Sequence, residues 1–461
     1  MGTVLFIDRA WPLLTELVVD FQRNCQDTDI EVVLLSEFKK SGSLGKVEVI
    51  NIYDVPQSRS LIQLQESYHF SIHKTLVTER SFYDYCSFRS SQSRSRLTEI
   101  EITEKVTPYA NALDYLIRER VDIVIDWLQD SFVPSLAGAI ANYYKKQFRM
   151  FLPHYWWSDG ALVFDRMDQT SSVIDKYYEY YYSQPELCDR AALDGVFNTK
   201  KTLYVIKQSK MYSIKHRILL FRNRQRSYEP ISIRNWIIRR LSEKYSKAII
   251  TLFIRRERKP CDEKFVVYPL QTSPEASILG TYPEVADQFN IIKNVSMNLP
   301  YGVKLYVKEH PFDKVGAGLD LNFYKKLNSL PNVRIIRGKC SLSELLDHPK
   351  FIALVSLNGT SIIEAAFKRR PVFIFGRSFY GKADCFFRPG NYEEFYMQLG
   401  TVMRGEYQFN ERALYAMLMA LDKSVVKADV DMVVDNSTSL LKLLPKIWAS
   451  YIELYGVKQM S

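Results

Sequence analysis

Cysteine chemistry has little to work with in this chain of 461 residues. Its six cysteines, Cys25, Cys86, Cys188, Cys261, Cys340 and Cys385, are widely separated and form no CxxC pair or Cys/His cluster. That spacing argues against a zinc site and a dense disulfide framework, and it fits a reducing cytoplasm. No metal and no cofactor is expected. Long apolar runs are missing too: none reaches the ~18 residues of a membrane span. Met1 to Asp8 lacks a basic region followed by a long apolar core, so no secretory leader is expected. A cytoplasmic protein, at most peripheral on a membrane, is the resulting expectation. No repeat at a solenoid period is present.

Acidic residues are scarce in one stretch. Positions 200–259 hold 18 Lys and Arg against Glu229, Glu243 and Glu257, a formal +15 in a chain of net +10, so the remainder sums to −5. The positive balance is therefore local. Within it, Met211–Arg222 and Ile233–Leu241 have the pattern of basic amphipathic helices, able to lie on an anionic membrane surface or to pack as solvated interdomain helices. An anionic partner suits this charge. Nucleic acid is not the partner this pattern indicates, because the basic residues join no recognition motif.

The chain is 47% hydrophobic, which excludes wholesale disorder, and its length favours two or three domains. Short apolar runs at 4–7, 31–35, 47–52, 121–126 and 150–153 read as buried strands with helices between them. Long helical patterns cover 61–85 and 97–119, separated by a polar loop from Ser87 to Ser95. A second α/β series has strands at 265–268, 303–308, 333–336, 351–355 and 372–375 and a helix over 285–299. Helices follow at 392–403, 411–421 and 437–451. This pattern predicts a first unit over 1–199, a basic helical linker over 200–260 and a second unit over 261–461.

Chemistry-bearing residues cluster after strands. In an open α/β sheet the loops following successive parallel strands converge on one edge, where ligands bind. Lys308 and His310 lie two residues apart at the end of one strand, on the same side of the extended chain, and Pro311 ends the ladder there. An imidazole N–H can bond a phosphate or ribose oxygen. Asn358-Gly359-Thr360-Ser361 opens a helix whose N–H groups and hydroxyls suit a phosphate, and Glu364 suits ribose hydroxyls. Ser361 and Glu364 also fit a capping box. Gln271 and Glu275 edge the same region, Glu275 as hydroxyl ligand, acid/base or first-turn carboxylate. In the first unit, Asp126, Asp159 and Asp165 are the carboxylates placed to face a cleft. Each can equally cap a helix. The loop from His154 to Gly160 is either a packed aromatic corner or an acceptor loop.

The segments Phe265–Ala276, Val303–Pro311 and Ser356–Gly376, with Leu-Gln-x-x-Pro-Glu and Val-Lys-Glu-His-Pro, resemble the bacterial capsular polysaccharide biosynthesis family, which includes Kdo transferases. The resemblance implies a GT-B fold, two Rossmann-like domains facing a central cleft, with the nucleotide-sugar donor held by the second. It implies transfer of a sugar, CMP-Kdo favoured, to a capsular polysaccharide or its lipid acceptor at the inner face of the membrane, with other capsule-assembly proteins as partners. His310 would then contact the CMP phosphate or ribose, and Thr360 and Ser361 the phosphate. The His-Pro and Ser/Thr-rich pair is similar to motifs of GT-B sialyltransferases. Sugar-nucleotide 2-epimerases share the architecture, and a non-catalytic glycan- or membrane-binding component would keep the basic segment without nucleotide affinity.

Overall fold

The computed structural model describes residues 2–8, 14–25, 29–68, 70–76, 99–127, 132–154, 160–166, 170–198, 241, 244–245, 248–258, 260, 262–271, 287–310 and 321–427. Eight strands form a first sheet: β1 (Gly2–Asp8), β2 (Ile30–Ser36), β3 (Gly42–Leu44), β4 (Val47–Asn51), β5 (Ile123–Trp127), β6 (Gln147–His154), β7 (Gly160–Phe164) and β13 (Val425–Lys427). Their order is β13-β7-β6-β5-β1-β2-β4-β3. The five from β6 to β4 are parallel, while β3, β7 and β13 pair antiparallel at the flanks. The apolar runs of β1, β2 and β5 are largely buried on both faces, as a sheet covered by helices requires, while β4 alternates, with Glu48 exposed. The chain leaves β1 towards β2 on one side and reaches β5 on the other, so β1 and β5 flank the point where the strand order reverses.

Helices α1 (Leu14–Asn24), α2 (Leu61–Tyr68), α3 (Ile72–Leu76), α4 (Glu99–Glu119), α5 (Phe132–Tyr143), α6 (Ser172–Ser183) and α7 (Arg190–Asn198) accompany this sheet. The single helix expected over 61–85 is instead broken between α2 and α3, where the Gln65 side chain accepts from Ile72 N at 2.9 Å and caps the new start. Strand β7, not anticipated from the sequence, follows the expected loop from His154 to Gly160 and pairs with β6 as a hairpin. The loop expected from Ser87 to Ser95 and the helices expected over Met211–Arg222 and Ser437–Tyr451 lie outside the described residues, as does that over Ile233–Leu241 apart from Leu241.

The second sheet, β10-β9-β8-β11-β12, is wholly parallel. It comprises β8 (Phe265–Pro269), β9 (Lys304–Lys308), β10 (Val333–Ile336), β11 (Phe351–Ser356) and β12 (Val372–Ile374). One face, with Val266, Tyr268, Leu305, Val307 and Val355, packs on α8 (Gln288–Met297), α9 (Leu321–Asn328) and α12 (Tyr392–Met403). The opposite face, with Phe265, Val267, Tyr306 and Leu354, packs on α10 (Leu342–Asp347) and α11 (Thr360–Phe367), and its core runs on into that of the first unit.

The chain then crosses back. Helix α13 (Glu411–Ser424) packs on α6 and α7, where Arg412 Nε donates to Tyr182 O at 2.6 Å and Tyr415 OH to Asp194 at 3.0 Å. It delivers β13 to the edge of the first sheet beside β7. The loop after β12 also reaches the first unit: Lys382 pairs with Glu179 at 3.0 Å and Asp384 N donates to Tyr178 OH at 3.2 Å. Among the described residues no helix is long and apolar enough to cross a membrane. Cys25, Cys188, Cys340 and Cys385 are buried free thiols.

Candidate functional site

Strand β8 lies between β9 and β11, so the loops that follow these three strands stand side by side, roughly 4.8 Å per strand apart, on the C-terminal edge of the second sheet. Gln271 ties two of them together. Its side-chain N–H donates to Asn358 O at 2.8 Å, while its backbone is held by the Gln288 amide at 2.9 and 3.1 Å. Asn358 is buried, and its Oδ1 accepts from Gly359 N at 2.7 Å. The Tyr380 hydroxyl, from the loop after β12, lies 2.9 Å from Asn358 Oδ1 and 3.0 Å from Gly359 N. Gln271 and Asn358 thus build the turn in front of α11.

Gly359, at φ 104°, is the N-cap of α11. The expected capping box is therefore corrected: Ser361 lies inside the first turn and caps nothing. The glycine conformation starts the helix two residues earlier than a serine cap would. Thr360 is exposed at the helix start. Ser361 Oγ is buried without a hydrogen-bond partner among the described residues. The first N–H groups of a helix have no intrahelical acceptor and form its positive end, so this turn offers donors to an anion.

On the same sheet edge, with β8 between it and β11, Lys308 ends β9. Its ammonium group is buried and donates to the Glu309 backbone carbonyl at 3.2 Å. Among the described residues no carboxylate lies within ion-pair distance of it. Burial lowers its pKa below the ordinary lysine value, an effect opposed by the nearby Cys340, Glu364 and Glu309. The half-buried His310 imidazole is likewise pushed below its usual range, first by burial and then by the Lys308 cation. A buried cation, an imidazole favouring its neutral form, a helix start and an unpartnered hydroxyl are a set that a phosphate group would satisfy.

The first unit also brings acidic groups to a strand edge. Asp126 is buried near the end of β5, and Asp8 is buried at the end of the adjacent β1, where it accepts from the Ser36 hydroxyl at 2.9 Å. Tyr109 OH donates to Glu37 at 3.1 Å just beyond β2. Asp8 and Glu37 were missed in the sequence, although Asp8 carries the same signal as Asp126, a carboxylate closing an apolar run. Asp165 accepts from Ser172 N at 3.0 Å and from its hydroxyl at the start of α6, whose N-cap is Ser171. Asp159 and Glu275 lie outside the described residues. Among the described residues no group of three or more His, Cys, Asp or Glu could hold a metal ion.

The architecture defines an α/β protein of two doubly wound units, each centred on a parallel sheet. Over residues 174–384 the chain matches the family described as capsule polysaccharide biosynthesis protein, so the resemblance carried by its motifs holds for this segment. No curated protein matches the chain. The β Kdo 2,4 transferase of KpsC from Thermosulfurimonas dismutans is similar at 16% identity, with 65% of this chain and 80% of that one covered and a TM-score of 0.34. The β Kdo 2,7 transferase of the same KpsC gives 10% identity, 91% and 90% coverage and a TM-score of 0.37. The UDP-GlcNAc 2-epimerase of Neisseria meningitidis bound to UDP-GlcNAc gives 11% identity, full coverage of both chains (100% and 100%) and a TM-score of 0.27.

Proposed function

We propose that the chain is a glycosyltransferase of capsule synthesis that takes a sugar from a nucleotide-activated donor, CMP-Kdo favoured, and passes it to a growing polysaccharide or its lipid acceptor. The observation that carries this reading is Lys308: a buried ammonium group with no carboxylate partner among the described residues, two residues before His310 and on the same sheet edge as the start of α11. In this reading Lys308 and an imidazole N–H of His310 hold the donor phosphate, with the hydroxyls of Thr360 and Ser361 and the helix N–H groups. Glu364 takes ribose hydroxyls. Gln271, Asn358 and Gly359 keep the turn in place. These groups offset the charge that grows on the leaving phosphate as the glycosidic bond breaks, without a resident metal. The carboxylate that acts on the sugar or acceptor comes from Asp126, Asp159 or Glu275.

A thermal-shift series with CMP, UDP, GDP and dTDP tests the donor. CMP is expected to stabilise most, by about 2.7 kcal/mol at a hundredfold excess over its Kd; no shift with any nucleotide would remove the reading. The His310 imidazole adds a pH signature. Its pKa is depressed in the free protein and rises when a phosphate anion binds beside it. Binding measured calorimetrically at a pH between the free and bound values should take up protons. Release of protons there would contradict the contact.

Peripheral attachment belongs to the same proposal. The basic stretch 200–259 ends in a helical run at 248–253 that buries Ile250 and exposes Leu252 and Phe253, each 76% accessible. Exposed apolar groups among Lys and Arg suit an anionic bilayer surface. Co-sedimentation with anionic liposomes at low salt, lost at high salt, is the expected result; failure to co-sediment at low salt would rule attachment out.

A further inference from the structure

The residue between Lys308 and His310 points the other way. Glu309 is 4% exposed, and three separate elements converge on its carboxylate. Arg256 forms an ion pair with it at 3.4 Å, both side chains being 6% exposed. From α9, Tyr324 OH donates to Oε1 at 3.0 Å. From the loop after β10, Gly338 N lies 3.3 Å from Oε2. That loop also rests on the site: a Cβ at position 338 would come within 2.7 Å of His310 O.

Arg256 is itself fixed. Glu257 N donates to Ile335 O at 2.8 Å and Arg337 N to Glu257 O at 3.1 Å, so the end of the basic stretch is strapped along β10. Side chains of neighbouring residues in an extended chain point to opposite sides. Anchoring Glu309 on the inside therefore sets the direction in which Lys308 and His310 leave the strand.

We propose that Glu309 is a positioning residue for His310: held by Arg256, Tyr324 and Gly338, its carboxylate fixes the strand end from which the imidazole reaches the proposed donor site. The inference rests on the functional reading above only for its consequence in catalysis. Burying an ion pair is a costly way to hold a loop, and losing one partner leaves the other charge uncompensated. Direct donor contact is left to His310.

The test follows the His310 imidazole by NMR in protein labelled with 13C at histidine Cε1, the signal being assigned by its absence in His310→Ala. In Glu309→Ala the imidazole should gain water and titrate higher than in the wild type, toward the ordinary histidine value. Losing the carboxylate charge alone would move it lower, so the sign separates positioning from direct electrostatics. Glu309→Gln loses the charge but keeps an acceptor for Tyr324, so it should show no rise and titrate at or below the wild-type value. Tyr324→Phe, which leaves no unpaired charge, should give a smaller shift in the same direction as Glu309→Ala and replaces it if that variant does not fold. An unchanged or lowered titration in Glu309→Ala or Tyr324→Phe overturns the proposal.

CMP affinity completes the cycle. Glu309→Ala should weaken it tenfold or more in the wild-type background and less than threefold beside His310→Ala; equal losses in both backgrounds would also overturn the proposal. The imidazole titration needs no nucleotide. Wild-type protein that fails to bind CMP therefore counts against the donor reading, and the titration still decides the link.

Discussion

His310→Ala should lower sugar transfer by on the order of 10²-fold or more, the usual effect of removing one donor from a site that stabilises developing charge. The side chain is half-buried and lies at a strand end, so its truncation should cost only about 1 kcal/mol of stability. Loss of transfer with the melting transition nearly unchanged is the expected pair of results. Near-normal turnover would remove His310 from the mechanism. CMP affinity should fall at least tenfold in the same variant, because the imidazole holds the donor phosphate in the ground state; a fall in kcat with affinity kept would contradict that contact.

The second large effect is on the frame. Gly376 follows β12 and lies against the backbone of Leu357: a Cβ there would sit 2.2 Å from Leu357 O. That carbonyl belongs to backbone, so no side-chain rotation relieves the overlap, and either the turn before α11 or the loop leading to Tyr380 must move. Gly376→Ala should therefore cost about 2–3 kcal/mol and, in a chain of 461 residues, lower Tm by roughly 2–3 °C. Because Leu357 precedes Asn358 and Gly359, nucleotide affinity should fall as well. Wild-type Tm and affinity together would contradict this packing.

How much of this was legible in the sequence depended on how local the cause was. The five strands of the second sheet were readable because each is a short, doubly buried apolar run, such as Phe265 to Tyr268 or Phe351 to Val355, bounded by polar or turn residues. Strand β13 was not. Its three residues pair with Gly160–Leu162, more than 260 positions earlier, and only the packing of α13 on α6 brings them there. Strand β7 was missed for a related reason, since Gly160–Phe164 is brief and follows an aromatic, polar stretch that suits a loop.

The site divides in the same way. Lys308 and His310 share a side of the strand by simple alternation, and that was readable. The inward course of Glu309 follows from the same alternation, but its partners Arg256 and Tyr324 come from 53 positions before and 15 after. Tyr380, which closes the Asn358–Gly359 turn from the next loop, had no signal of its own. The helix start at Thr360 was displaced from expectation because Gly359 can adopt a conformation that a capping pattern of hydroxyl and carboxylate does not register.

The central claim is that a nucleotide-bound sugar is transferred. It is tested most directly by incubating the purified protein with CMP-Kdo, with and without a capsular oligosaccharide acceptor, and analysing the products. Release of CMP with an acceptor lengthened by one sugar, and little release without acceptor, is the predicted result. Sugar turned over to a free isomer in the absence of acceptor, or CMP-Kdo recovered intact in both reactions, would contradict it.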